Sequence, residues 1–474
     1  MISHDFYKNV IYVFPQLFPQ RVNMKPVKFQ IVNFLCLLGT IAMFAQGVFS
    51  QCEIAPKMGT KAAGWDKDFS QNGPGTGLEP DGAAGWTGGD STYSLLLPNG
   101  DTAFFFSDSF IAESPAKPGD GRVSVNKNGL RLREPNCLPP FCGSEPEHIH
   151  YVYNSIVVRS KDGKTLKTLV GEKDKNGYST AYFKPKSDDP NVMFWMGDPT
   201  IVDVGGKKKI WIFLNEWRVA RPFDKKFFID FRGQSIAQLD AETLAVENII
   251  PLKNLVDQGV WGISVWLDGK DFYIYGMKNE GDINGVKKSD FNLVDKYKKL
   301  YIAKTDASKG IDFVSDEKNW RAWDGKNWTK DLKKRASIIP EKDSISDELS
   351  IKRLNINGKP IFVMVSFDTS VGYSDWKNLY LYSACEPQGP FVNKYLFYQT
   401  PTAGLTKLPG MIGSQSLKSG LSVYNPHLHT QFTENGELLV SYNSNLPFGA
   451  KPGDSIYADF YRPRFVRVPI EGLK

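Results

Sequence analysis

The chain has 474 residues, of which 41% are hydrophobic and 13% aromatic, and its formal net charge is +6. Residues 1–50 hold four Lys or Arg and one Asp, which leaves a net charge of +3 for the remainder. This near-neutral balance, without a basic block, argues against a nucleic-acid-binding protein. The roughly 420 residues after position 50 are enough for one large β domain or two smaller ones.

An export signal is predicted near the N-terminus. Met24 begins a segment in which Lys25 and Lys28 precede the apolar run IVNFLCLLGTIAMFAQGVF. A positively charged start followed by such a run is typical of a secretory signal peptide. We therefore predict a signal peptide over residues 24–50 that is cleaved after Ser50.

The predicted signal peptide divides the chain into three parts. Residues 1–23 carry no targeting pattern of their own and are interpreted as an over-extended start of the reading frame. Residues 51–474 are expected to form a single domain that is secreted or periplasmic. No second apolar run reaches membrane-spanning length, so we expect no membrane insertion after cleavage. No pattern points to a protein partner.

The five cysteines suit an exported protein better than a zinc protein. Cys36 lies in the predicted signal peptide. In an oxidising compartment Cys137 and Cys142 could close a small loop, and Cys52 could pair with Cys385. No CxxC pair or metal-finger spacing exists, which argues against a zinc-organised fold.

Five segments of the sequence share one plan, which is a polar or acidic start, a strand, a turn with Gly, and an aromatic strand ending in polar residues. They are GGDSTYSLLLPNGDTAFFFSDSF from Gly88, MGDPTIVDVGGKKKIWIFLNEW from Met196, WGISVWLDGKDFYIYGMKN from Trp261, SDELSIKRLNINGKPIFVMVSFD from Ser346 and YNPHLHTQFTENGELLVSYNSN from Tyr424.

A further strand-like stretch follows each segment. The first is NSIVVRSKDGKTL from Asn154, and the last is RFVRVPI from Arg464. Five units of about four strands predict an all-β fold, a five-bladed β-propeller. A β-sandwich or two stacked β domains remain as alternatives, because propeller blades and sandwich hairpins look similar one at a time.

Two aspartates of the first segment are the leading catalytic candidates. The turn LPNGD centres the first hairpin near Asn99 and Gly100, which places Asp90 and Asp108 close to opposite each other on adjacent strands. In a propeller the innermost strands converge on the axis, so residues at their starts can assemble a site there. Paired carboxylates are the usual machinery of glycoside hydrolysis.

The corresponding positions of the other segments extend this set. They are Asp198, Trp261 and Ser264, Asp347 and Glu348, and Asn425 and His427. We expect Asp198, Trp261, Glu348, Asn425 and His427 to support the pair or bind substrate. Glu216, the equivalent of Asp108 in the second segment, is a reserve candidate for the acid.

Each candidate also has a structural interpretation. A single Asp at a strand edge often caps a turn. Blade packing is the usual role of a propeller tryptophan, which applies to Trp195 and Trp261. His427 shares a strand face with His429, and we favour a hydrogen-bonding role for it over a metal ligand. No cofactor is required, although a structural calcium on the axis remains open and the metal site is unknown.

The first-blade motif WTGGDSTYSLLLPNGDTAFFFSDSF, together with GDPTIV, NSIVV and YNPHLH, resembles a group of secreted five-bladed propellers long catalogued as a domain of unknown function. Some members of that group are endo-acting D-arabinofuranosidases. The chain is also distantly similar to arabinanase and β-fructosidase propellers. The resemblance implies that the catalytic pair of that group corresponds here to Asp90 and Asp108.

The sequence thus supports an exported glycoside hydrolase that acts on a furanose-containing, arabinan-like polysaccharide or oligosaccharide. Asp90 and Asp108 would serve as general acid and as base or nucleophile. A carbohydrate-binding propeller without catalysis is the first alternative. A glycoside phosphorylase is the second, although the five segments offer few of the cations that a phosphate pocket needs.

Overall fold

Short apolar runs bounded by Gly and Asn turns make this chain fold almost entirely into antiparallel strands. The computed structural model describes residues 52–69, 85–112, 123–125, 131–133, 149–163, 166–175, 177–189, 191–219, 229–253, 259–280, 298–367, 369, 377–402, 420–446, 455–456 and 460–474. The predicted signal peptide, Cys137, Cys142 and His148 lie outside these residues.

The described part of the chain starts beside its last strand. It contains β1 (Thr60–Lys61) and helix α1 (Ala63–Asp68). Asp66 of α1 accepts a hydrogen bond of 2.8 Å from the backbone N–H of Phe465. This contact fixes the helix against the C-terminal strand.

Blade 1 contains the first predicted hairpin. Its strands are β2 (Gly85–Leu96), β3 (Thr102–Ala112), β6 (Ile149–Val152), β7 (Ser155–Arg159) and β8 (Leu166–Leu169). Two short strands, β4 (Val123–Val125) and β5 (Arg131–Arg133), lie between β3 and β6 in the chain. They form a separate small sheet with a strand that follows blade 5.

Blades 2, 3 and 4 repeat the plan of an inner hairpin followed by outer strands. Blade 2 consists of β9 (Val192–Val204), β10 (Lys207–Val219), β11 (Ile229–Asp240) and β12 (Val246–Pro251). Blade 3 consists of β13 (Val260–Asp268), β14 (Asp271–Asn279), β15 (Lys298–Asp306), β16 (Arg321–Trp323) and β17 (Trp328–Thr329). Blade 4 consists of β18 (Ser350–Ile356), β19 (Lys359–Phe367), β20 (Asn378–Ala384) and β21 (Asn393–Gln399).

Short helices accompany blade 3. They are α2 (Ile311–Val314) and the 3-10 helices Ala307–Lys309, Glu317–Asn319 and Leu332–Lys334. Among the described residues no helix is long and apolar enough to cross a membrane.

Blade 5 joins the two ends of the described domain. It contains β22 (Ser422–Glu434), β23 (Glu437–Asn445) and β25 (Arg464–Pro469), and β1 pairs with β25 as its outermost strand. β24 (Ser455–Ile456) pairs with β4 in the small sheet. The last blade is therefore completed by a strand from the beginning of the domain.

The five sheets are arranged in a ring. Each inner strand contacts the inner strands of the two neighbouring blades, in the order β2, β9, β13, β18, β22 and back to β2. The five hairpins predicted from the repeat are the five inner hairpins of the sheets. The predicted five-bladed β-propeller is thus confirmed.

Apolar side chains fill the space between neighbouring blades. Blades 1 and 2 share a core, and corresponding cores lie between the other pairs around the ring. Alternation of side chains along each strand makes this possible, because one face of a sheet packs on the preceding blade and the other on the following blade. The core between blades 5 and 1 contains Trp86, Phe104 and Phe465.

A disulfide bond reinforces the start of the domain. Cys52 is bonded to Cys385, which follows β20 of blade 4, across a sequence separation of 333 residues. This is one of the two pairings expected from the sequence. The bond fastens the segment that leads to β1, so that blade 5 keeps its outermost strand.

Removing this disulfide should destabilise the domain. We expect the Cys52→Ser Cys385→Ser variant to lose about 2–5 kcal/mol of unfolding free energy, because the closed loop is long and the unfolded chain gains freedom. Urea unfolding of both proteins measures the difference. Equal midpoints for the two proteins would show that the outermost strand holds without the bond.

Candidate active site

Irregular pairing marks the inner strands near the axis. The register of the inner hairpin shifts at Gly89–Ser91 in blade 1, and comparable shifts occur in blades 2, 3 and 5. β-Bulges of this kind re-aim side chains and are common next to active sites. Gly197 and Gly262 allow the close approach, since a Cβ on Gly197 would lie 2.3 Å from the carbonyl oxygen of Gly262.

Asp90 and Asp108 meet at the bulge of blade 1. Gly89 pairs with Ser109 and Ser91 pairs with Phe106, so Asp90 lies across from the segment that holds Asp108. The sequence analysis placed the two residues at the ends of the hairpin. In the structure β2 and β3 continue beyond them, because the bulge lets pairing resume on the other side.

The residues after Asp90 adopt an uncommon backbone conformation. Ser91 has a φ of 69° and Thr92 a φ of 66°. Non-glycine residues in the left-handed region cost free energy and persist only where their surroundings hold them. Asn443 supplies such contacts, since it exchanges hydrogen bonds with the side chain of Thr92 and donates to the carbonyl of Gly89.

Two tyrosine hydroxyls hold the carboxylate of Asp90. Tyr424 donates to Oδ2 at 3.0 Å, and Tyr461 donates to the same oxygen at 2.5 Å. Both tyrosines come from the blade 5 region, and the backbone of Tyr461 also accepts from the N–H of Gly89. Hydrogen bonds donated to a carboxylate favour its charged form.

Asp108 is bonded to an indole. Its side chain is buried, and Trp195 of blade 2 donates from Nε1 to its Oδ1 at 2.8 Å. This bond joins blade 1 to blade 2 at the site. It fixes the orientation of the Asp108 carboxylate and favours its charged form.

Glu348 of blade 4 completes a group of three carboxyl groups. Ser91 donates to its Oε1 at 3.0 Å, which brings it next to Asp90 across the axis. Burial raises the pKa of Glu348 well above its ordinary value of 4.5, and the negative charges of Asp90, Asp347 and Asp108 raise it further. Glu348 therefore holds a proton where Asp90 and Asp108 carry charge.

His427 lies against Glu348 in the channel. Its Nε2 is 3.4 Å from Oε2 of Glu348, and its Nδ1 is 3.0 Å from Oγ of Ser350. Burial, with smaller contributions from His429 and Lys352, holds the pKa of His427 well below its usual value. Its ring also packs on Tyr93, with centroids 4.0 Å apart. The imidazole is thus a neutral, packed group.

These contacts do not form a calcium site. Within the described residues no group of three or more His, Cys, Asp or Glu side chains is arranged to hold a metal ion. His429, the neighbour of His427 on the same strand face, lies between Ser94 and Ser441 at 2.7 and 2.8 Å. The structural calcium stays a prediction that these side chains do not support.

Asp198 forms a buried ion pair inside the channel. Both of its carboxylate oxygens accept from Nζ of Lys352, at 2.9 and 2.7 Å. Oδ2 also accepts from Oγ of Ser264 and from the backbone N–H of Val265. The side chain of Asp198 is only 1% exposed. This pair ties the inner strands of blades 2, 3 and 4 together.

Breaking the ion pair should destabilise the propeller. We expect Lys352→Met to lower the unfolding free energy by about 2–3 kcal/mol, because Asp198 would remain as a buried charge with fewer donors. Lys359→Met, at an exposed position at the start of β19, is the matched control. Urea unfolding compares the three proteins. Equal stability of both variants would contradict a structural role for the pair.

The other predicted residues lie apart from the carboxyl groups. Trp261 is fully buried in the core between blades 2 and 3, with its ring 5.7 Å from that of Trp320. This is the packing role given as its alternative. Glu216 is half-buried on β10, opposite Phe194. Asn425 is buried at the bulge of blade 5, with a φ of 50°.

Sequence reasoning did not assign four residues that contact the site. Tyr424 opens the fifth repeat segment, so its position was visible, but its hydroxyl contact was not. Tyr461 comes from a segment outside every repeat. Trp195 had been considered for stacking without a link to Asp108, and Lys352 was one lysine of many.

Comparison with known proteins places the chain in a family. The family model described as "Domain of unknown function (DUF5005)" matches residues 81–470. The chain belongs to this family. The DUF5005 match covers all five blades, and it confirms the expected resemblance to a family catalogued as a domain of unknown function. A sequence comparison with curated proteins finds no match.

Solved structures resemble this DUF5005 chain in fold. A presumptive hydrolase from Bacteroides ovatus ATCC 8483 aligns with a TM-score of 0.53 and 19% identity, over 88% of this chain and 93% of that one. A GH43_1 enzyme from Xanthomonas citri aligns with a TM-score of 0.37 and 9% identity, over 81% and 87%. The α-L-arabinanase of Penicillium chrysogenum, complexed with arabinobiose, gives 0.30 and 12%, over 87% and 98%.

Proposed function

We propose that the protein is an exported glycoside hydrolase that acts on a furanose-containing, arabinan-like polysaccharide or oligosaccharide. The observation that carries this proposal is the group of three carboxyl groups, Asp90, Asp108 and Glu348, in different protonation states. Carboxyl groups whose surroundings push their pKa values apart are the usual acid and base of glycoside hydrolysis.

Asp90 and Asp108 act as the charged members of the group. Tyr424 and Tyr461 stabilise the charge on Asp90, and Trp195 stabilises that on Asp108. A charged carboxylate can attack the anomeric carbon, activate a water molecule or stabilise the positive charge that develops on the sugar ring. The pair therefore supplies the base or nucleophile.

Glu348 supplies the proton. The sequence analysis gave the acid role to one of the two aspartates and a supporting role to Glu348. The raised pKa of Glu348 instead favours it as the group that protonates the leaving oxygen, since an acid must keep its proton near neutral pH. The charges of Asp90 and Asp108 then both serve catalysis directly and keep that proton in place.

A carbohydrate-binding propeller without catalysis is the competing function. Hydrogen bonding to sugar hydroxyls needs polar groups, but it does not need a buried protonated carboxyl beside two charged ones, an arrangement that costs stability. The phosphorylase alternative requires cations for phosphate. Lys352, the lysine in the channel, is bound to Asp198 through both carboxylate oxygens.

The finer parts of the proposal rest on other observations. The disulfide between Cys52 and Cys385 suits export to an oxidising compartment. The arabinofuranose preference rests on the first-blade motif and its resemblance to a group that includes endo-D-arabinofuranosidases. The Bacteroides protein of the same fold was itself described as a presumptive hydrolase.

The test is release of reducing sugar by the protein beginning at Gln51. Arabinans of L- and D-arabinofuranose, arabinogalactans, fructans and other plant and bacterial glycans form the panel, and binding to each glycan is measured in parallel. We expect cleavage of at least one furanose-containing glycan. Binding without cleavage of any glycan would replace the hydrolase by the binding module.

A further inference from the structure

We propose that blade 2 carries a binding strip for an extended carbohydrate chain, formed by Trp195, Trp217 and Phe231 and called here the aromatic strip. The substrate would accordingly be a polysaccharide or long oligosaccharide, which occupies subsites beyond the carboxyl groups. This inference rests on the proposed glycoside hydrolase function and adds the length of the substrate and the direction in which it runs.

The three rings lie on one face of the blade 2 sheet. Trp195 pairs with Asn215, and Trp217 pairs with Phe231. Asn215 and Trp217 are two residues apart on β10, so their side chains point to the same face. The ring centroids of Trp195 and Trp217 are 5.5 Å apart, and those of Trp217 and Phe231 are 5.0 Å apart. The rings thus form a continuous row from the inner strand to the third strand.

The row starts at the candidate active site. Trp195 is the ring whose Nε1 donates to Asp108 at 2.8 Å. It lies near the start of β9, Trp217 lies near the end of β10, and Phe231 lies near the start of β11. These positions are at the same edge of the sheet, because the strands are antiparallel. A chain bound at Asp108 would therefore pass over the other two rings as it leaves the axis.

The aromatic strip is partly exposed, unlike the core tryptophans. Trp195, Trp217 and Phe231 are all half-buried, whereas Trp211 and Trp261 of the neighbouring core are at most 1% exposed. A row of large aromatic rings beside a polar centre is typical of ligand sites, where apolar faces provide contact area and polar groups fix orientation. The apolar faces of sugar rings suit such a surface.

A purely structural explanation makes a different prediction. Trp323 and Trp328 on the outer strands of blade 3 are also a half-buried pair, 5.4 Å apart, and they pair directly across β16 and β17. No catalytic candidate contacts that pair in the described structure. If the aromatic strip only stabilised its sheet, removing Trp217 would resemble removing Trp328 and would not depend on the length of a bound glycan.

The experiment measures affinity against chain length in protein that cannot turn over. In the Asp90→Asn background, calorimetry gives Kd values for α-1,5-arabino-oligosaccharides of two to six residues. We expect affinity to rise with length. Adding Trp217→Ala should weaken binding of the hexasaccharide about tenfold, as for truncation of an aromatic anchor, and leave the disaccharide nearly unchanged. Phe231→Ala should act in the same direction, and Trp328→Ala is the matched control.

The outcomes separate this inference from the proposed function. If the wild-type protein cleaves arabinan but Trp217→Ala and Phe231→Ala bind every length as their parent does, the aromatic strip is not a subsite. Equal weakening at all lengths also overturns the inference. If wild type neither binds nor cleaves any glycan of the panel, the proposed function itself fails. Melting temperatures check folding, and Phe231→Ala carries the test if Trp217→Ala is unstable.

Discussion

Asp90→Asn and Asp108→Asn are each expected to lower kcat/KM by about 10³-fold or more, on natural glycans and on aryl furanosides alike. The reason is that Asn can neither attack nor accept a proton, whatever the leaving group. Stability should change little or improve, because each substitution removes a negative charge that lies next to Glu348. Initial rates on a glycan and on a 4-nitrophenyl furanoside measure the effect.

An exposed aspartate provides the control for these two variants. Asp268 is exposed in the turn of the inner hairpin of blade 3, so Asp268→Asn should keep wild-type rates. Retained activity of Asp108→Asn on the aryl furanoside alone would contradict the assignment. It would make Asp108 the acid, because a nitrophenolate leaves without protonation.

Glu348→Gln is expected to lower the rate on glycans by about 10²–10⁴-fold and to spare the aryl furanoside. Gln has the size of the protonated acid but no proton to transfer to the leaving oxygen, and only the poor leaving group of a glycan needs that proton. Glu386→Gln, at an exposed position after the disulfide, is the matched control. Comparable losses on both substrates would show that Glu348 is not the general acid.

The same variant should gain stability relative to wild type as the pH rises. The folded-state pKa of Glu348 is raised, so its contribution to stability is complete below the unfolded value of 4.5 and is lost as pH rises through the folded pKa. Gln has no charge to bury, and Glu348→Gln should therefore exceed wild type in urea unfolding at pH 8 but not at pH 4. An unchanged difference between the two pH values would contradict the raised pKa.

The pH profile of the wild-type enzyme follows from the same group. Activity should fall on the alkaline side when Glu348 loses its proton. Asp90 is the first charge that raises the Glu348 pKa after burial, and the charge of Asp108 adds to it. The residual activity of Asp90→Asn should therefore show its alkaline limb at lower pH than that of wild type.

Much of the architecture was readable because it is local. Each inner hairpin joins two apolar strands through a Gly-bearing turn, and five such hairpins appear in order along the chain. The positions of Asp90, Asp108, Glu348 and His427 within these repeats were enough to predict that they meet at the axis. The pairing of Cys52 with Cys385 could be proposed but not chosen, because the loop it closes spans most of the domain.

The bulges show where such reasoning ends. Register shifts carry β2 and β3 past Asp90 and Asp108, although the alternation of residues alone would end the hairpin there. The two positive φ values at Ser91 and Thr92 depend on Asn443, which lies 351 residues after Thr92. No local pattern reports a constraint that comes from so far along the chain.

The sequence by itself determined the all-β class, the number of blades and the set of acidic residues at the axis, because strand periodicity and turn chemistry act between near neighbours. Only the tertiary structure decided that β1 completes blade 5, that Lys352 neutralises Asp198, that Tyr461 binds Asp90 and that Trp261 is core. The protonation of Glu348 also belongs to this second group. Burial and neighbouring charge set it, and both exist only when separate blades close around one axis.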